Sequence, residues 1–123
     1  MSVVVLGLNH RTVPLDLLER VTIDDVRLPK ALHDVMSRDH ISEAVILSTC
    51  NRTEVYVVAE KFHPAYAELR TFLSELALVA PEELADHLYV HDGADAAAHL
   101  FAVAAGIDSA VVGEAEILGQ VRQ

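Results

Sequence analysis

The sequence predicts an α+β fold, a ferredoxin-like β-α-β-β-α-β sandwich followed by a C-terminal helical segment. Three observations predict it. Four short runs rich in β-branched and other apolar residues are spaced as strands, and the middle two are joined by a short polar connection. Apolar residues at helical spacing fill the stretches after the first and third runs. Beyond Asp92-Gly93 the composition changes to alanine-rich helix. The domain division expected from this is residues 1–92 for the sandwich and 93–123 for the helical part.

In chain order, Ser2 to Leu8 is a β-branched run closed by Gly7 and Asn9, giving a first strand that ends in a polar loop at His10-Arg11-Thr12. Pro14 and Leu15 lead into a short helical turn through Arg20. A second helix begins near Pro29, a good first-turn residue, and is expected to bury Leu32, Val35 and Met36. Ala44 to Leu47 and Val55 to Val58 read as buried strands. From Pro64 to Ala80, the residues Tyr66, Leu69, Leu73, Leu76 and Ala80 form one helical stripe. Pro81 starts a separate turn, Leu88-Tyr89-Val90 is the fourth strand, and Ala94 to Ala105 is a helix capped by Gly106. In such a sandwich the first and third strands are central and their ends lie close together.

Cys50 is the only cysteine, placed where the second strand gives way to Ser48-Thr49-Cys50-Asn51-Arg52-Thr53-Glu54. A thiol in or beside a tight connection is placed to react, and a neighbouring guanidinium such as Arg52 favours the nucleophilic thiolate. Cysteine is also among the most buried residue types, so a space-filling thiol stands beside that reading. Arg52 can hold a carboxylate through a bidentate pair or form a surface salt bridge with Glu54.

Composition narrows the function classes. With 123 residues and 52% apolar residues, the chain is long and apolar enough for one folded domain. No apolar run approaches the roughly 20 residues that cross a bilayer, and the start lacks a basic signal-peptide region, so a cytoplasmic location is expected. A net charge of −10, with nine Lys and Arg, argues against a stand-alone nucleic-acid binder. The last residues, Ile117 to Gln123, carry no helix stop signal and read as a chain cut inside a helix.

Seven histidines invite a metal reading that their spacing does not support. His87 and His91 would lie about 13 Å apart along a strand, and no cysteine is near them. His33, His40 and His63 read as surface residues. His99 differs, because a ring inside an alanine-rich helix must face solvent or meet a partner. Ser109, Glu114, Glu116 and Gln120 form a polar set in which Glu116 and Gln120 share a helix face. Such a set is either a solvated face or a site for an amino group.

Taken together, the segments resemble the N-terminal catalytic domain of the glutamyl-tRNA reductase family. Gly7-Leu8-Asn9-His10-Arg11-Thr12-Val13-Pro14 with Glu19-Arg20 is similar to the family's opening motif, and Ser48 to Tyr56 is the most specific match. The stretch from His99-Leu100-Phe101 through Gly106-Ile107-Asp108-Ser109 to Gly113-Glu114 and Gly119-Gln120 is the third. The resemblance implies that Cys50 attacks the ester of glutamyl-tRNA to form a thioester, which NADPH then reduces to glutamate-1-semialdehyde for tetrapyrrole synthesis. It implies a glutamate pocket of Thr49, Asn51, Arg52, Ser109, Glu114, Ala115, Glu116 and Gln120, with His99 assisting near the nucleophile. No Gly-rich nucleotide fingerprint is present, so NADPH is expected on a domain beyond Gln123, as is the dimerising domain. A homodimer and a downstream aminomutase are the implied protein partners. Ala110 and Ala115, where relatives often carry a larger residue, and Ile107, in place of a common leucine, remove no group that this chemistry requires. The rival reading is a ferredoxin-like amino-acid-binding or regulatory module with a structural or redox cysteine.

Overall fold

The computed structural model describes residues 2–104, so Gly106, Ser109, Glu114, Ala115, Glu116 and Gln120 lie outside the described residues. Nine elements follow one another: β1 (Ser2–Asn9), α1 (Leu15–Val21), α2 (Leu28–Met36), β2 (Ile41–Ser48), β3 (Arg52–Ala59), α3 (Phe62–Ala77), α4 (Pro81–Ala85), β4 (Tyr89–Asp92) and α5 (Gly93–Ala104). The strands form one sheet in the order β2-β3-β1-β4, with every neighbouring pair antiparallel. That is the expected ferredoxin-like arrangement, with β1 and β3 central. Asn9 pairs with Arg52, so the end of β1 lies beside the start of β3.

Alternation along the strands divides the core in two. On one face Val4, Leu6, Leu8, Ile46, Val55 and Val57 pack with residues of α1, α2 and α3, including Leu18, Val35, Leu69 and Phe72. This is the larger apolar core, and burial of its aliphatic side chains supplies the main driving force for the sandwich. On the other face a smaller apolar cluster joins Val5, Leu47 and Tyr56 to Ala96 of α5, which packs on β1 and β4. Gly93 turns the chain from β4 into α5 at φ 57, a conformation that glycine adopts without a Cβ penalty.

Three expectations are corrected. Met36 is 41% exposed, because α2 ends there and presents Val35 to the core instead. Helix α3 stops at Ala77, and Leu78 caps it in the left-handed conformation, which leaves Ala80 exposed beyond the helix. Its buried stripe is therefore Ala65, Leu69, Phe72, Leu73 and Ala77, with Tyr66 and Leu76 at the margin. Gly7 does not close β1, which continues through Asn9. No helix among the described residues is long and apolar enough to cross a membrane.

Candidate functional site

Cys50 and Asn51 form the tip of the β2–β3 hairpin. The Thr49 N–H donates to the Arg52 carbonyl at 2.8 Å, and the Asn51 N–H donates to Thr49 Oγ1 at 3.1 Å. A short polar side chain bonding the backbone two residues on is a natural turn stabiliser. The loop after β1 joins the tip, because the His10 N–H donates to the Asn51 carbonyl at 2.9 Å. That loop is itself tied, with Arg11 N–H on Asn9 Oδ1 at 2.9 Å.

The hairpin base is fastened to the main core by hydroxyls. Thr53 Oγ1 donates to the Val21 carbonyl at 3.1 Å, Ser48 Oγ lies 2.8 Å from Thr53 Oγ1, and the Ile23 N–H donates to Ser48 Oγ at 2.8 Å. With Thr53 donating to Val21, Ser48 donates to Thr53. These bonds are buried, so each satisfies a group that could not otherwise reach water. Cys50 is nevertheless exposed, and its thiol has no hydrogen-bond partner among the described residues. A buried, space-filling cysteine is therefore the wrong reading of this position.

The opposite side of β3 carries a buried ionic network. Arg52 and Glu54 are both 0% exposed, and Arg52 Nη1 meets Glu54 Oε2 at 3.4 Å. A surface pair was one expectation for these residues; the pair is internal instead, with His99 of α5 lying on Glu54. Tyr56 Oη donates to Glu54 Oε1 at 2.8 Å, and Tyr89 Oη donates to Oε2. His99 Nε2 approaches the same Oε2 at 2.6 Å. The partner that His99 meets is thus the Glu54 carboxylate. His99 also stacks on His91, with centroids 4.5 Å apart, and tilts against Tyr89 at 5.5 Å.

Gly7 makes this convergence possible. It lies between Glu54 and Tyr89 in register, and a Cβ there would stand 2.8 Å from Glu54 Cγ and 3.0 Å from the Tyr89 Cζ and Oη atoms. Two side chains from strands on either side of β1 meet over the missing side chain. Burial pushes the Glu54 carboxyl up, but hydrogen bonds from His99 and Tyr89, the charge of a protonated His99 and the Arg52 guanidinium together hold it below its ordinary range. Burial, then the Glu54 charge, push both Tyr56 and Tyr89 above the usual phenol range, so both remain donors.

The structure brings Thr49, Cys50, Asn51 and Arg52 together at one end of the sheet, with Thr49 buried, Asn51 half-buried and Arg52 directed into the network beneath α5. Glu54, Tyr56, Tyr89 and Gly7 were not singled out from the sequence as site residues. The available signals were the period-two series Arg52, Glu54, Tyr56 and a glycine inside a strand, which often marks close approach of another group. His87 precedes β4, and its Nδ1 lies 3.1 Å from the Thr12 carbonyl.

Comparisons with known proteins agree on one family. The family model described as the N-terminal domain of glutamyl-tRNA(Glu) reductase matches residues 6–123. Glutamyl-tRNA reductase of Frankia alni is 51% identical over 122 residues, which cover 99% of this chain and 26% of that protein. The Thermobifida fusca protein of the same name is 50% identical over 123 residues, with 99% and 26% covered. Among solved structures, glutamyl-tRNA reductase from Methanopyrus kandleri superposes with a TM-score of 0.68 at 31% identity, over 98% of this chain and 26% of that one. The chain spans about a quarter of the length of these relatives.

Proposed function

This chain belongs to the family of glutamyl-tRNA reductase N-terminal domains, and from that premise we propose that it performs the acyl-transfer half of the reaction those relatives are named for. Cys50 is the nucleophile. Its sulfur attacks the ester carbonyl carbon of glutamyl-tRNA, an S–C bond forms, and the C–O bond to the terminal ribose breaks. The thiol proton passes to the ribose oxygen, which leaves with the tRNA. His99 is the residue proposed to carry that proton.

The observation that carries this reading is an exposed thiol at the tip of a hairpin whose base is fixed by buried bonds. Exposure suits an ester presented by a macromolecule, and a fixed base limits the orientations lost before attack. Thr49, Asn51 and Arg52 are proposed to line the glutamate pocket together with Ser109, Glu114, Ala115, Glu116 and Gln120. The net charge of −10 opposes tRNA, so phosphate contacts are assigned to other parts of a longer protein. The division into a sandwich over residues 1–92 and a helical part over 93–123 belongs to the same proposal.

The described residues do not fit NADPH. A dinucleotide crevice is built on parallel strands with a Gly-rich turn into a helix, whereas every strand pair here is antiparallel and Gly7 is covered by Glu54 and Tyr89. Reduction is therefore left to residues outside those described, along with the proposed dimer contact and transfer of the product to an aminomutase. A reducing compartment, the cytoplasm in this proposal, keeps the thiol available.

Glutamate release from glutamyl-tRNA without NADPH, measured on the full-length protein, tests the proposal. Release should occur with Cys50 and fall to the uncatalysed rate in Cys50→Ser; equal release from both would rule out the assignment.

A further inference from the structure

We propose that Glu54 is a positioning residue for the acyl transfer: its buried carboxylate fixes the proton of His99 on Nε2 and leaves Nδ1 as the proton-accepting nitrogen. The inference rests on the proposed role of His99 and goes beyond it by naming the group that sets the ring's tautomer.

Chemistry at the contact decides the tautomer. An ionised carboxylate accepts hydrogen bonds and cannot donate them, so the 2.6 Å contact between His99 Nε2 and Glu54 Oε2 requires a proton on Nε2. The carboxylate has little freedom to do otherwise. Tyr56 occupies Oε1, while Tyr89 and Arg52 also address Oε2. Ring contacts hold the imidazole itself, with His91 stacked on it at an interplanar angle of 26° and Tyr89 tilted at 57°. Among the described residues, the charged and titratable groups against the ring are Glu54 from β3 and Tyr89 and His91 from β4, with Arg52 and Tyr56 behind the carboxylate.

A purely structural account explains this arrangement less well. Burying an ion pair is frequently no more stabilising than packing apolar residues of similar volume. Here the network also requires a side-chain-free position at Gly7. What it provides is an oriented imidazole whose protonated form would lie against an existing negative charge. The strand that holds Glu54 begins just after the turn bearing Cys50, so nucleophile and positioning residue stand on the same hairpin.

The test is a double-mutant cycle on the full-length protein, reading Cys50-dependent glutamate release from glutamyl-tRNA in single turnovers. Glu54→Gln should slow release about 10-fold to 100-fold, less than the roughly 10²–10⁴-fold of a general acid–base group itself, because the ring is mispositioned rather than removed. In a His99→Asn background the same change should have no further effect, because Glu54 would act only through the ring. An equal fold-loss in both backgrounds, or no loss in either, overturns the proposal. Two-bond proton–nitrogen correlations of the unsubstituted protein give a second reading that needs no stable variant. Neutral His99 should carry its proton on Nε2, and a proton on Nδ1 overturns the proposal whatever the variants do. Absence of release from the unsubstituted protein would instead remove the acyl-transfer reading, and the positioning role with it.

Discussion

The two faces of β3 solve the same problem in different ways. Thr53, Val55 and Val57 face the larger core, where apolar packing dominates and the polar groups are hydroxyls passing hydrogen bonds from Ile23 to Val21. Arg52, Glu54 and Tyr56 face α5, where a smaller apolar cluster sits beside a buried carboxylate and its donors. The first face anchors the hairpin, and the second gathers donors around a buried carboxylate. A strand that alternates between these surroundings is packed on one side and polar but hydrogen-bonded on the other.

The largest effect expected from breaking this comparison is at Glu54. Glu54→Ala removes the buried carboxylate on which Arg52, Tyr56, Tyr89 and His99 converge, and should destabilise the fold by about 3–5 kcal/mol in urea unfolding. The effect should depend on pH. Because the folded carboxyl lies below its ordinary range, its contribution is complete above the unfolded value of about 4.3 and is lost as pH falls through the lower folded value. The gap between wild type and Glu54→Ala should therefore narrow below about pH 4, and a gap that widened there would contradict the charge assignment.

Gly7→Ala comes next. Its new Cβ would press on Glu54 Cγ and the Tyr89 ring, at a cost of about 1–3 kcal/mol by the general scale of overpacking. Its signature should be a displaced His99 resonance with the resonances of Leu69 and Phe72 unchanged, since those residues lie on the other face. The smallest effect belongs to the hydroxyl side. Thr53→Val keeps the shape but leaves the Val21 carbonyl and Ser48 without that partner, so unfolding should show a loss of about 1–2 kcal/mol. If Thr53→Val proved as damaging as Glu54→Ala, the distinction between the faces would fail.

Much of this fold is legible in the sequence, and the limits are physical. Apolar runs and the polar interruption at Cys50 locate β2, β3 and their hairpin, because strand burial and turn chemistry are local signals. The end of α3 is less legible, since Leu78 adopts a left-handed cap without the glycine that normally announces one. Burial of Arg52 and Glu54 is not local at all. Alternating charged residues on a strand ordinarily mark a solvent face, and the group that meets Glu54 there, His99 of α5, comes about 40 residues later in the chain. Cys50 stands out as the sole cysteine, whereas Glu54 becomes visible only when β1 and β4 are placed beside it.

The central claim is that Cys50 accepts the glutamyl group. Its most direct test is intact mass of the full-length protein, acid-quenched after mixing with glutamyl-tRNA in the absence of NADPH. A single glutamyl adduct that maps to Cys50, is removed by hydroxylamine and is absent from Cys50→Ser is the predicted result. Unmodified protein alongside continuing, cysteine-independent glutamate release would contradict it.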